Sequence, residues 1–127
     1  MKTLLSLLAF SCCVFAFGQS KDLGPNCGGP DHWTALATFT RMKNEGLVDN
    51  QNFDLSKTTT VRLASQKIGR DLWHQVYQVT FTRKSGEIVE AIAIHDASTE
   101  ECSMSGVEVF VVSKHLSDVL FRFGQTK

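Results

Sequence analysis

The side chains best suited to chemistry in this sequence are the adjacent His95 and Asp96. A histidine can act as a general base, and an aspartate carboxylate can orient it. Both fall in a run of residues with the character of a β-strand, in which neighbouring side chains point to opposite faces of the sheet. The two side chains therefore cannot form a catalytic dyad while both remain in the strand. We interpret His95 as a structural histidine close to a strand end.

The cysteines offer a second chemistry. Cys102 beside a histidine would be a thiol nucleophile, but Cys27 and Cys102 are the cysteines that remain once an N-terminal export signal is removed. In an oxidising compartment such a pair forms a disulfide by default. In the chain-entropy model, a bridge that closes so long a loop stabilises the fold by roughly 4 kcal/mol. We predict the disulfide and no thiol chemistry.

Metal binding has weaker support in the sequence. The histidines have none of the short spacings of zinc sites; they are His32, His74, His95 and His115. The acidic loop that contains Asp96, Glu100 and Glu101 is expected to be a solvated loop, and contact with calcium or with a basic partner surface is the alternative. No constellation of residues identifies a reaction. We predict a protein that is not an enzyme and that uses no metal and no cofactor.

Residues 1–18 have the organisation of a secretory signal peptide: Lys2, a short apolar stretch, and Ala16-Phe17-Gly18 as a cleavage site. We expect residues 19–127 to form a single domain that is exported, either to the periplasm or into the medium, with no membrane segment after signal removal. The chain has 13 basic and 13 acidic residues. Because it lacks a basic stripe, nucleic acid is not the expected partner.

The segment 72–96 organises the fold, because it is typical of two strands joined by a tight turn at Ser85-Gly86. A two-residue loop would place Val79 opposite Ile92, whereas a three-residue loop with a glycine bulge would place it opposite Ala91. We prefer the two-residue loop, since it pairs large side chains and opposite charges. The second arm is apolar on both faces, which is typical of a central strand.

The remaining elements follow from local signals. Pro30 and Asp31 are typical of a helix start, and Gly46 is typical of its end. The residues at helical spacing between them are Trp33, Leu36, Phe39 and Thr40. A loop is expected over 48–57 and strands over 58–67 and 106–113, and a tail follows in which the apolar residues Leu116, Leu120 and Phe123 would cap the core. The sequence predicts an α+β fold with one N-terminal helix packed on a four-stranded antiparallel sheet.

A helix followed by four antiparallel strands behind an export signal resembles the cystatin fold. Cystatins that inhibit cysteine proteases carry Gln-x-Val-x-Gly in the first hairpin, and this chain has Gln66-Lys67-Ile68-Gly69, one residue short, at the corresponding place. Gly24 or Gly28 matches the family's N-terminal glycine. The later Pro-Trp pair is missing. The resemblance implies a cystatin-like shape more than it implies protease inhibition.

Two functions follow as hypotheses. The first is a non-catalytic protein that binds and blocks another protein, as an enzyme inhibitor or a toxin-neutralising immunity protein; the contact residues would be Gln66, Ile68, Gly69, Arg70, Asp71, Asp96, Glu100 and Glu101. The alternative is a small-ligand carrier with a pocket between helix and sheet, reaching Trp33, Trp73 or Tyr77. The edge strand over 106–113 would also allow a dimer.

Overall fold

The computed structural model describes residues 21–112. Its elements are α1 (Trp33–Asn44), β1 (Phe53–Gly69), β2 (Leu72–Arg83), β3 (Ile88–Ala97) and β4 (Glu108–Val112). The strands form one antiparallel sheet in the order β1-β2-β3-β4, and α1 packs on one face of it. The predicted α+β fold and the central position of β3 are confirmed.

Several sequence predictions fall outside the described residues. They are the signal peptide over 1–18 and the capping role of Leu116, Leu120 and Phe123. Within residues 21–112, no helix is long and apolar enough to cross a membrane.

The preferred register of the β2–β3 hairpin was wrong. Val79 lies opposite Ala91 and Tyr77 opposite Ala93, and the loop has three residues, 84–86. Gly86 has a φ of 93°. A two-residue type I′ loop would have required positive φ at its first residue as well, whereas the three-residue loop places this conformation on glycine alone.

This register decides what faces the helix. The inner face of β2 carries the buried side chains of Tyr77, Val79 and Phe81, while the inner face of β3 carries the fully buried Ala91 and Ala93. The small side chains of β3 leave room for α1 to lie close to the sheet, and the large ones of β2 fill the space beside it.

The predicted start and buried face of the helix were partly wrong. The helix begins after His32, which forms no side-chain cap, so Asp31 does not cap it. Its buried positions are Thr34, Ala35, Thr38, Phe39 and Met42, whereas Leu36 is 45% exposed and Thr40 is exposed. Two polar threonines take core positions because each hydroxyl has a hydrogen-bond partner.

The bounds of two strands also differ from the prediction. β1 begins at Phe53, inside the segment expected to be a loop, and its pairing with β2 is interrupted between Asp54 and Thr59. β4 begins at Glu108, two residues after the predicted start, and the predicted end at residue 113 lies outside the described residues. The interruption explains the missed start, because residues 55–58 depart from the alternating pattern of a regular strand.

Candidate functional site

Two of the segments predicted to bind a partner touch each other at one end of the sheet. The turn between β1 and β2 contains Arg70 and Asp71, and β3 ends at Ala97, beside Trp73 at the start of β2. The carboxylate of Asp71 accepts hydrogen bonds from the backbone N–H of Thr99 at 3.0 Å and from its hydroxyl at 2.9 Å. The β1–β2 turn and the loop after β3 therefore form one surface.

A third segment, the strap (residues 22–29), reaches the same end of the sheet. Gly24 has a φ of 65° and lies against the Trp73 ring so closely that an added Cβ would overlap the ring. The Lys67 ammonium lies 4.7 Å from the centre of that ring and 3.3 Å from the Asp22 carboxylate. The pKa of Asp22 is lowered, first by the Gly24 N–H and then by Lys67. We call the surface formed by residues 22–24, 68–71 and 98–104 the rim.

Each rim segment contributes one exposed apolar side chain. Leu23 is 41% exposed, Ile68 50% and Met104 48%. Around them, Arg70, Asp71, Glu100 and Glu101 are exposed and charged. The rim thus exposes three apolar side chains together with charged groups of both signs, a mixture that is common in protein-binding surfaces.

Buried polar side chains hold the strap in place. Gln75, which is fully buried, donates from Nε2 to the carbonyls of Leu23 at 3.2 Å and Pro25 at 2.8 Å. The same carbonyls accept hydrogen bonds from Arg62, and the Leu23 carbonyl also accepts one from Ser65. All of these bonds except the exposed one from Arg62 to the Leu23 carbonyl are half-buried, and together they fix the strap to β1 and β2 along its backbone.

Tyr77 and the disulfide extend this anchoring. The Tyr77 hydroxyl accepts a hydrogen bond from the backbone N–H of Cys27 at 2.9 Å and donates to Gln75 Oε1 at 3.2 Å. Cys27 is bonded to Cys102, which confirms the predicted disulfide and joins the strap to the loop after β3. Cys102 therefore has no thiol to act as a nucleophile.

Sequence reasoning missed the role of Gln75, although a signal was present. Gln75 falls on the same alternation as Trp73 and Tyr77, whose large aromatic side chains mark the buried face of β2. A glutamine at a core position of a strand needs buried partners for its amide. The carbonyls of the strap supply them.

Two predicted contact residues, Gln66 and Asp96, lie outside the rim. Gln66 pairs with His74 on the outer face of the sheet, and His74 pairs in turn with Asp96. His74 Nδ1 lies 2.6 Å from Asp96 Oδ1. Gln66 and Asp96 therefore flank His74 on the sheet face, whereas Ile68 and Gly69 lie at the rim.

His95 lies on the opposite face from Asp96, inside the core. Its Nε2 shares a hydrogen bond of 2.8 Å with the Thr34 hydroxyl, and its ring stacks on Tyr77 and contacts the edge of Trp33. Burial lowers the pKa of His95. Its side chain is 1% exposed, so a substrate cannot reach it, and its role is structural.

No cluster of three or more potential metal ligands is found within residues 21–112. Comparison of the chain with protein-family models, curated proteins and solved structures gives no match.

The lowered pKa of His95 predicts a loss of stability in acid. As the pH falls below about 6.5, the unfolded chain binds a proton at this histidine before the folded protein does, so the free energy of unfolding decreases toward the lower folded pKa. The slope is at most about 1.4 kcal/mol per pH unit for one proton. In urea unfolding between pH 7.5 and 5, the free energy of unfolding of the variant His95→Gln should depend less on pH than that of the wild type.

An unchanged dependence in His95→Gln would show that other groups cause the acid sensitivity.

Proposed function

We propose that this protein binds another protein through the rim and blocks it, as a non-catalytic inhibitor or immunity-type protein that acts after export. The observation that carries the proposal is the convergence of three segments, distant in sequence, on one end of the sheet. The contacts between Asp71 and Thr99, and between Gly24 and Trp73, hold these segments together.

Rigidity supports this proposal. A surface that is already ordered loses less conformational entropy when it binds. The strap is fixed by Gln75 and Tyr77, and the disulfide joins it to the loop that contains Met104. These constraints fix the relative positions of Leu23, Ile68 and Met104 before a partner arrives.

Two features support the proposal that the protein acts after export. The disulfide suits an oxidising environment, and residues 1–18 have the pattern of a signal peptide. The resemblance to cystatins also supports a rim-mediated function, since Gln66-Lys67-Ile68-Gly69 closes β1 beside the strap. Because loop 98–104 has no Pro-Trp pair, we do not restrict the proposed partner to cysteine proteases.

The carrier hypothesis has weaker support. The strap covers Trp73 and Tyr77, which are 3% and 1% exposed, so the space beside both rings is filled by the protein itself. Of the three expected pocket residues, Trp33 lines an open surface hollow.

Rim variants test the proposed function. Replacing Ile68 or Met104 by aspartate should weaken partner binding by about 30-fold or more, because a charge would be placed in the apolar centre of the interface. The matched control is Val61→Asp, which changes a side chain of similar exposure (56%) in the middle of β1. Affinities are measured by calorimetry with the captured partner. Equal affinities for all three variants and the wild type would contradict the proposal.

A further inference from the structure

A groove runs between α1 and β4, and the residues that line it lie outside the rim. We define it by the side chains of Leu36, Arg41, Leu47, Val109 and Val111. It consists of two adjoining hollows of about 530 and 470 Å³, with Arg41 shared between them. The groove exists because the buried face of α1 is rotated away from Leu36, which leaves this leucine uncovered.

The groove exposes several large apolar side chains to water, beside the charged residues Arg41, Glu45 and Glu108. Leu36 is 45% exposed, Leu47 46% and Val111 48%. Phe110, on the other face of β4, is 56% exposed. One edge of β4 pairs with β3, and the other edge has no partner among residues 21–112. An open edge with apolar side chains on both faces promotes association, and proteins generally cover such edges.

We propose that the occupant of this groove is the chain's own segment 113–127, which covers the open edge of β4. This segment follows Val112 directly. Its apolar residues are Leu116, Val119, Leu120, Phe121 and Phe123. They supply apolar surface that matches the exposed leucines and valines of the groove.

The segment is long enough for this contact. The five residues of β4 extend over roughly 17 Å at 3.4 Å per residue. A reversal of three or four residues after Val112 leaves enough of 113–127 to run back along the whole of β4. Leu47 and Val111 lie near the start of this path, and Gly106 and Leu36 lie near its end.

Covalent attachment favours this occupant over a second copy. A short tether gives a segment an effective concentration in the millimolar range, whereas a second copy competes only at the concentration of the protein. Both would bury the same edge of β4. The intramolecular contact should therefore dominate at micromolar concentrations, and it does not depend on the proposed function of the rim.

Hydrogen exchange of the β4 backbone tests the proposal in the full mature chain. The amides of β4 that do not pair with β3 should exchange slowly in the wild type at all protein concentrations. In the double variant Leu120→Asp/Phe121→Asp, the same amides should exchange about ten-fold faster or more. The matched control, Ser117→Asp/Gln125→Asp, adds the same charge at polar positions of the segment and should keep the wild-type protection.

Each other outcome would overturn the proposal. Protection that increases with protein concentration would identify a second copy as the occupant. Fast exchange in the wild type would mean that the edge of β4 is open. Equal protection in the wild type and in Leu120→Asp/Phe121→Asp would mean that the apolar residues of the segment do not cover it.

Discussion

Replacing both Cys27 and Cys102 by alanine is expected to lower the free energy of unfolding by about 3–4 kcal/mol. The disulfide links residues 75 positions apart, so its loss frees a long loop in the unfolded chain. It also releases the strap from the loop after β3. For a domain of this size the melting temperature should fall by roughly 12–24 °C. Urea unfolding and calorimetry measure both quantities.

The control for the disulfide prediction is reduction of the wild-type protein. A thiol reductant should lower the stability of the wild type toward that of the double variant and leave the variant unchanged. A double variant as stable as the oxidised wild type would show that the anchoring of the strap by hydrogen bonds suffices without the disulfide.

The variant Gln75→Leu is expected to lower the free energy of unfolding by about 2–3 kcal/mol. Leucine removes the hydrogen bonds to the Leu23 and Pro25 carbonyls and leaves the proton of the Tyr77 hydroxyl without its acceptor. Gln75 is fully buried and its bonds to these carbonyls are half-buried, so water replaces them only in part. Partner affinity should fall as well, since Leu23 belongs to the rim.

Gln78 is the matched control for this second prediction. It lies on the same strand but on the outer face, where it is half-buried and makes one long bond of 3.4 Å to Glu90. The variant Gln78→Leu should change the free energy of unfolding by less than about 0.5 kcal/mol. Equal losses in the two variants, measured by urea unfolding, would contradict the anchoring role of Gln75.

The sheet could be predicted because its strands have local sequence patterns. The disulfide could be predicted because few cysteines were available to pair. Alternation through β2 marks its inner face, and the apolar character of β3 on both faces is typical of a central strand. Cys27 and Cys102 are the two cysteines that lie outside the expected signal peptide, so only one pairing was available. None of these predictions required knowledge of how distant segments pack.

The hairpin register could not be fixed from the pattern, because both faces of β3 are apolar. Ile92 and Ala91 were equally acceptable partners for Val79 on hydrophobicity alone. The choice depends on the space that α1 needs above the sheet, and Ala91 leaves that space. The conformation of Gly86 favours the same register.

The rim was predicted as separate segments, and their contact was not foreseen. Asp71 and Thr99 are separated by 28 positions, and Gly24 and Trp73 belong to different parts of the chain. Their contacts depend on the antiparallel order of the strands, which brings the turn before β2 and the loop after β3 to the same end. The burial of Thr34 on the inner face of α1 was likewise not predicted, because its hydrogen-bond partner His95 is distant in sequence.

Capture of a partner by the oxidised mature chain, residues 19–127, tests the central claim most directly. The wild type, Ile68→Asp and Val61→Asp are each immobilised, exposed to secreted and envelope fractions of the source organism, and analysed by mass spectrometry. We expect one dominant protein to bind the wild type and Val61→Asp, to be lost from Ile68→Asp, and to lose its own activity when bound. A protein retained equally by Ile68→Asp, a bound protein that stays fully active, or the absence of any captured protein would contradict rim-mediated inhibition.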